Sequence, residues 1–275
     1  MIHLGLIGYP LGHSLSPKIH KAALKACGLQ GDYSLFPIHP DHLQGLKGLL
    51  ARVRSGEITG LNVTVPYKQN VIELMDELTP AAQAIGAVNT IYFRNNRLIA
   101  DNTDAPGFLT DLKRFIGKWE LGVGNRKSAL VLGAGGSSRA VVYALLNNGW
   151  NVTLAARRIE QARELAGRFA GVKAVGLDSK TILPTNLRWI VNTTPVGMAP
   201  NTGQSPWPEE LSFPRAAIYD LVYNPRETKL VKDALAQNLN ATTGLGMLIE
   251  QAALAFEIWT GHNPPRNILY DSVVE

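Results

Sequence analysis

Short apolar runs alternate with stretches of helical periodicity along the whole chain. HLGLIG reads as a strand, and SPKIHKAALKACG as a helix ended by Gly28. DYSLFPI follows as a strand, HLQGLKGLLARVRSG as a helix and GLNVTV as a strand. KQNVIELMDEL has the spacing of another helix. NTIYF and RLIA form a hairpin around Asn95 and Asn96, and DAPGFLTDLKRF begins a helix. This alternation predicts α/β architecture with a largely parallel sheet.

The pattern breaks at Gly117 to Lys127, where GKWELGVGNRK is Gly-rich and polar. After it, SALVLGAGGSSRAVVYALLNNGWNVTLAARR reads as strand, glycine turn, helix and second strand, the start of a βαβ unit. RWIVNTT and AAIYDLVY supply further strands. GMLIEQAALAFEIWTG is the last long helix, with Leu248, Ala252, Phe256 and Trp259 at helical spacing. A chain of 275 residues is long enough for two domains, each with its own core.

One stretch is ambiguous. NVTVPYKQN alternates like a half-buried strand, with Val63 and Val65 on one face and Asn62 and Thr64 on the other. Pro66 stops it and Lys68 follows at once. A wet strand end and the floor of a catalytic site are both compatible with that pattern.

Composition narrows the classes. The chain is 45% hydrophobic and 18% charged, ordinary for a globular enzyme. Its net charge of +5 comes from scattered Lys and Arg. With no basic and aromatic stripe, anionic small ligands are favoured over nucleic acid. Cys27 is the only cysteine, so no intramolecular disulfide can form. The N-terminus lacks a basic n-region, and no run of about 18 apolar residues exists. A cytoplasmic protein without membrane contact is the simplest expectation. His39 and His42 have H-x-x-H spacing, but no Cys or carboxylate cluster joins them, so no metal site is expected.

The glycine turn carries specific chemistry. Gly133-Ala134-Gly135-Gly136-Ser137-Ser138 follows a strand and opens a helix, the context that dinucleotide binding requires. Gly133 permits the tight turn. Gly135 lets the backbone approach a pyrophosphate at the helix N-terminus, where free N–H groups favour anions. Ser138 stands where the third glycine of G-x-G-x-x-G would be. The next strand, NVTLAA, runs into Arg157-Arg158 and not into the acid that would bind a ribose 2′-hydroxyl. Guanidinium groups suit a 2′-phosphate, which favours NADP(H) over NAD, although a solvated Arg pair opening a helix has the same sequence.

In GYPLGHSLSPKIH, Ser16 before Pro17 is a natural N-cap when taken alone. Together with the rest it acquires another meaning. G-x-P-x-x-H-S-x-S-P (Gly8–Pro17), NVTVPYK (Asn62–Lys68), GAVNT (Gly86–Thr90) and DNTDAPGF (Asp101–Phe108) are followed by GAGGSSRA, NTTPVGM (Asn192–Met198), YDLVYNPRET (Tyr219–Thr228) and GLGMLIEQAALAFEIW (Gly244–Trp259). In this order and spacing the chain closely resembles the shikimate dehydrogenases. The resemblance implies two domains with an active-site cleft. Residues 1–107, completed by C-terminal helices in 244–275, would form an α/β substrate domain with a mainly parallel sheet. Residues 108–243 would form a Rossmann domain binding NADP(H).

The resemblance also implies the reaction, reversible hydride transfer between NADPH and 3-dehydroshikimate to give shikimate, and the residues that carry it. Lys68 would polarise the carbonyl oxygen and deliver the proton, and Asp104 would hold Lys68 in place. Taken alone, a Lys after a strand is a solvated residue and an Asp two residues before Pro106 is a cap or turn residue. Ser14 and Ser16 would meet the substrate carboxylate. Asn62, Thr64, Asn89, Tyr223 and Gln251 would meet its hydroxyls or carboxylate. Alone, Asn89 reads as a turn residue and Gln251 as an exposed helix position. For the cofactor, Gly133, Ala134, Gly135, Gly136 and Ser137 match the phosphate loop, and Arg157 and Arg158 the 2′-phosphate region. Thr193, Thr194, Leu221, Gly244 and Met247 match positions near the nicotinamide and its ribose. The chain departs from the family in reading Ala156-Arg157-Arg158 where Asn-Arg-Thr is common. A quinate-oxidising relative using NAD would carry an acid at Arg157 and a bulkier hydroxyl at Ser16. A non-catalytic NADP-binding protein of this fold would be expected to lose Lys68 or Asp104. A monomer and a homodimer are both compatible with the sequence.

Overall fold

The computed structural model describes residues 1–117, 128–178, 181, 183–184 and 186–274, so the expected polar break lies, past Gly117, outside the described residues. The chain divides into two compact units: Met1–Gly107 with Leu248–Glu275, and Phe108–Met247.

The first unit runs β1 (Ile2–Gly8), α1 (Ser16–Ala26), β2 (Gly31–Pro37), α2 (Leu43–Arg54), β3 (Gly60–Val63), α3 (Tyr67–Asn70), β4 (Glu77–Leu78), α4 (Pro80–Ile85), β5 (Thr90–Arg94) and β6 (Arg97–Asp101). It includes the start of α5 (Asp104–Gly117), most of α9 (Leu245–Thr260) and α10 (Arg266–Val274). Its sheet has the order β2-β1-β3-β5-β6-β4. β1 is parallel to β2 and β3, and β4 to β6; β5 is antiparallel to both its neighbours. The hairpin between β5 and β6 turns on Asn95 and Asn96, whose φ angles of 52° and 60° give the left-handed turn that fits the strand twist.

β3 is buried on both faces. Leu61 and Val63 pack into a core with Ile7, Leu46, Leu50, Val53 and Ile91, while Asn62 and Gly60 take the opposite face. The strand stops at Val63, two residues before its apolar alternation does, and Val65 is 63% exposed. Thr64 N still donates to Ile7 O, but Tyr67 N turns back to Thr64 O and opens α3. The expected helix over KQNVIELMDEL is also broken up. It becomes α3, a single 3₁₀ turn at Ile72–Leu74 and β4. Pairing with β6 overrides the local periodicity: Asp76 N donates to Leu98 O, Leu98 N donates to the Asp76 carboxylate, and Thr79 N donates to Ala100 O. Ser16 is not the N-cap of α1. The helix starts a residue earlier than expected, with Leu15 at the cap position and Ser16 inside the first turn, its N–H donating to Ser14 Oγ at 3.3 Å.

The second unit contains β7 (Ser128–Leu132), α6 (Gly136–Leu146), β8 (Asn151–Ala156), α7 (Ile159–Ala166), β9 (Lys173–Gly176), β10 (Trp189–Asn192), β11 (Ala217–Asp220), α8 (Lys229–Ala236) and β12 (Ala241–Thr243). Its sheet, β12-β11-β10-β7-β8-β9, is parallel throughout. The central strands SALVL, WIVN and AIYD are apolar apart from one polar end residue each and are buried on both faces, as expected of a covered parallel sheet. The strand order reverses between β7 and β10, the doubly wound Rossmann arrangement, in which ligands bind beyond the carboxyl ends of the strands at that switch. The division between the units falls within α5, at Gly107/Phe108, and within α9, at Met247/Leu248.

Candidate active site

In the first unit, four of the expected residues form one bonded chain. Lys68 Nζ donates to Asp104 Oδ2 at 2.6 Å, across 36 residues of sequence. Both ends are withdrawn from water, with side-chain exposures of 12% and 5%. Asp104 opens α5, three residues past the end of β6, and Lys68 lies in α3. The main chain fixes that register, since Val88 N donates to Lys68 O at 2.7 Å. The other carboxylate oxygen of Asp104 accepts from Asn89 Nδ2 at 2.9 Å. Asn89 Nδ2 also reaches Thr103 Oγ1 at 2.9 Å and Gln251 Oε1 at 3.1 Å. Two amide protons thus serve three acceptors. Asn89 Oδ1 in turn accepts from Thr103 N and Thr90 Oγ1. Gln251 Nε2 donates to Leu248 O within α9.

Neither Asn89 nor Gln251 is the exposed turn or helix residue that each resembles alone: both are buried. Gln251 comes close because Gly107 has no side chain; a Cβ there would lie 2.8 Å from Gln251 N. The helix-start bond that Asp104 could have supplied is made by Asn102, whose Oδ1 accepts from Ala105 N. Asn62 joins the group through Nδ2, which donates to Asn89 O at 3.1 Å. Thr64 packs against Gly8, where a Cβ would lie 2.3 Å from Thr64 Cγ2. Ser14 and Ser16 bond to each other at the start of α1. Thr103, Thr90 and Tyr33 were not singled out in the sequence. Thr103 stood beside Asp104 in DNTD, which was the available signal.

In the second unit the glycine turn closes β7 and opens α6. Gly133 has φ +109°, and a Cβ on it would lie 2.8 Å from Thr193 Oγ1, so glycine is required there. Around Gly135, by contrast, a Cβ would meet nothing within 4 Å among the described residues. Ser138 is a structural substitute for the missing third glycine. Thr193 Oγ1 donates its one proton to Leu132 O at 2.6 Å, so the 2.6 Å contact between Ser138 and Thr193 is a Ser138 donation. Ser138 Oγ then accepts from Gly135 N at 3.1 Å. Arg157 and Arg158 follow β8 and are exposed, with no acid between Ala156 and Ile159.

Behind Thr193 and Thr194 sits a second polar cluster that the sequence reading missed, although its members lie in NTTPVGM and YDLVYNPRET. Asn192 Oδ1 accepts from Thr194 N and Oγ1, and its Nδ2 donates to Asp220 Oδ1 at 2.8 Å. Asp220 also accepts from Val222 N and from Thr228 Oγ1, the residue capping α8. Burial raises the Asp220 carboxyl to about 6, against the pull of these three donors. Leu221 and Gly244 are adjacent, since a Cβ on Gly244 would lie 2.3 Å from Leu221 O. Met247 is buried, and Tyr223 is half-buried with its phenol pushed up by burial. Among the described residues no group of three or more His, Cys, Asp or Glu could hold a metal ion. No helix among them is long and apolar enough to cross a membrane.

Comparison with known proteins adds the family. Residues 6–91 match the model of the shikimate dehydrogenase substrate binding domain, and residues 244–273 that of the shikimate 5′-dehydrogenase C-terminal domain. A shikimate dehydrogenase (NADP(+)) of Salinibacter ruber is 40% identical over 98% of this chain and 95% of its own length. The chain belongs to the shikimate dehydrogenase family. Another member, from Carboxydothermus hydrogenoformans, is 41% identical over 98% of this chain and 95% of its own. The Thermus thermophilus shikimate 5-dehydrogenase, solved in complex with NADP(H) and shikimate, superposes with a TM-score of 0.86 at 41% identity, covering 99% of this chain and 98% of that one.

Proposed function

We propose that this chain is an NADP-dependent shikimate dehydrogenase of aromatic amino acid biosynthesis, reducing 3-dehydroshikimate reversibly to shikimate. The observation that carries this reading is the withdrawn Lys68–Asp104 pair, bonded at 2.6 Å and tied by Asn89 to Gln251. We assign substrate binding to the first unit and cofactor binding to the second, and the cytoplasm as the compartment.

The residues of the second unit fit NADP. The open space at Gly135 suits a pyrophosphate on the N-terminus of α6, and Gly133 supplies the turn. Gly136, Ala134 and Ser137 would lie along the phosphates. Arg157 and Arg158 would hold the 2′-phosphate. Thr193, Thr194, Leu221, Gly244 and Met247 would line the nicotinamide end. When bound, the cofactor supplies the hydride.

The chain's own work is charge and position. A ketone taking hydride gathers negative charge on oxygen, and the Lys68 ammonium stabilises that oxygen and protonates it. Asp104 holds the ammonium through Oδ2, and Asn89 holds the carboxylate through Oδ1, so the donor is oriented before the substrate arrives. Ser14 and Ser16 meet the substrate carboxylate; Asn62, Thr64, Asn89, Gln251 and Tyr223 meet its polar groups. Recognition by buried neutral groups is selective, because an analogue lacking a hydroxyl leaves them unpaired.

Initial rates with shikimate and quinate, each with NADP and NAD, test this assignment. The expected result is turnover of shikimate with NADP far above the other three combinations. Strong activity only with quinate and NAD would overturn it.

A further inference from the structure

Asn62 is 4% exposed and its amide is oriented from two sides. On one side stands Asn89 O, a backbone carbonyl that can only accept, so the Asn62 atom 3.1 Å from it is Nδ2. Oδ1 therefore points the other way, where the Tyr33 hydroxyl meets it at 2.8 Å and must donate.

The strand register explains how Tyr33 reaches that far. β1 lies between β2 and β3. Leu4 is level with Tyr33 and Gly60, and Leu6 with Asn62, so Tyr33 and Asn62 share a face and the phenol crosses β1 diagonally. The ring is clamped. His20, from α1, stacks on it at 4.4 Å with 3° between the planes. Trp259 and Phe256, from α9, back the His20 ring at 5.4 and 6.3 Å. Trp259 in turn lies over Gly60, where a Cβ would come within 2.3 Å of its ring, and donates Nε1 to Ile91 O. Among the described residues neither His20 nitrogen has a hydrogen-bond partner. Burial lowers the ring to about 3, with Asn62 alongside opposing that shift without a hydrogen bond of ordinary geometry. His20 is thus a neutral ring at working pH, and it serves the stack and not the chemistry.

We propose that Tyr33 is a positioning residue for substrate recognition: its hydroxyl holds the Asn62 amide with the oxygen turned into the protein, so that a ligand meets Asn62 as an N–H donor to an acceptor oxygen. This rests on the assignment of Asn62 to the substrate. Removing only the hydroxyl leaves the ring stack intact and the Asn62 oxygen without its donor, so the amide is held from the Asn89 side alone and less firmly.

The test is a double-mutant cycle of Tyr33→Phe and Asn62→Ala, read as KM for shikimate, KM for NADP and kcat, with thermal unfolding as a check that each variant folds. Asn62→Ser replaces Asn62→Ala if the latter does not fold. Tyr33→Phe is expected to raise the shikimate KM on the order of tenfold, with kcat and the NADP KM within about twofold. On the Asn62→Ala background, Tyr33→Phe should add almost nothing. An unchanged shikimate KM in Tyr33→Phe, with Asn62→Ala impaired, overturns the proposal and leaves the substrate assignment standing. An equal effect of Tyr33→Phe on both backgrounds also overturns it, since Tyr33 would then act without Asn62. An Asn62→Ala protein with the wild-type shikimate KM defeats the underlying assignment, and the proposal with it.

Discussion

Two buried aspartates, one in each unit, close comparable polar networks in different ways. Asp104 receives a cation and an amide: Lys68 on one oxygen and Asn89 on the other. Asp220 receives an amide, a backbone N–H and a hydroxyl, all neutral. For Asp220 the neutral donors do not offset the loss of water, and its carboxyl rises to about 6. The difference separates two uses of one side chain. Paired with an ammonium, a carboxylate holds a cation in place, which in the proposed reaction is the proton donor. Surrounded by dipoles, it organises backbone: the end of β10, the turn after β11 and the cap of α8.

The strongest way to break this contrast is to remove the cation. Lys68→Ala leaves Asp104, like Asp220, among neutral donors. The variant should lose on the order of a thousandfold in kcat while still binding shikimate and NADP in titrations. Wild-type turnover in a protein that binds both would end the assignment of Lys68.

The next largest effect belongs to Asp220 and appears in stability. Its folded value of about 6 lies above the 3.8 of an ordinary aspartate, so the unfolded chain releases its proton first. The folded state is favoured below about pH 4. That advantage fades as pH rises to 6 and stays absent above it. The gap amounts to about 3 kcal/mol. Urea denaturation of the wild type and Asp220→Asn at pH 4 and 7 should therefore show the wild type losing about 2 kcal/mol relative to the variant, since the unfolded group is already half ionised at pH 4. A difference independent of pH would refute the raised value.

Asp104→Asn keeps the shape and removes the anchor's charge. A drop of about a hundredfold in kcat, with the NADP KM little changed, is expected from initial rates. The smallest effect concerns the glycine turn. Ser138→Ala leaves Gly135 N–H without its acceptor and frees Thr193, which should cost about 1 kcal/mol in denaturant and weaken NADP binding several-fold by fluorescence titration.

Much of the fold could be read from the residues because the patterns are local. The continuous apolar runs of β7, β10 and β11, the glycines after β7 and the paired asparagines after β5 each state their own structure. What escaped the reading depends on distant partners. KQNVIELMDEL carries helical spacing, yet Leu98 and Ala100 claim its backbone for pairing. NVTV alternates, yet pairing ends at Val63. For the candidate site, no spacing rule joins Lys68 to Asp104; the order of family motifs pointed to them. Asn192, Asp220 and Thr103 stayed hidden because a buried polar residue at a strand end has the same letters as a solvated one.

Gly107 bears on how the candidate site could vary. Its α-carbon rests against the backbone of Gln251, and a single added carbon would come within 2.8 Å of a main-chain nitrogen. Rigid backbone on that side leaves nowhere for a methyl group to go. Position 107 therefore acts as a gauge block. It sets the distance at which the Gln251 amide meets Asn89, and any larger residue would lengthen that distance before it altered a single polar group.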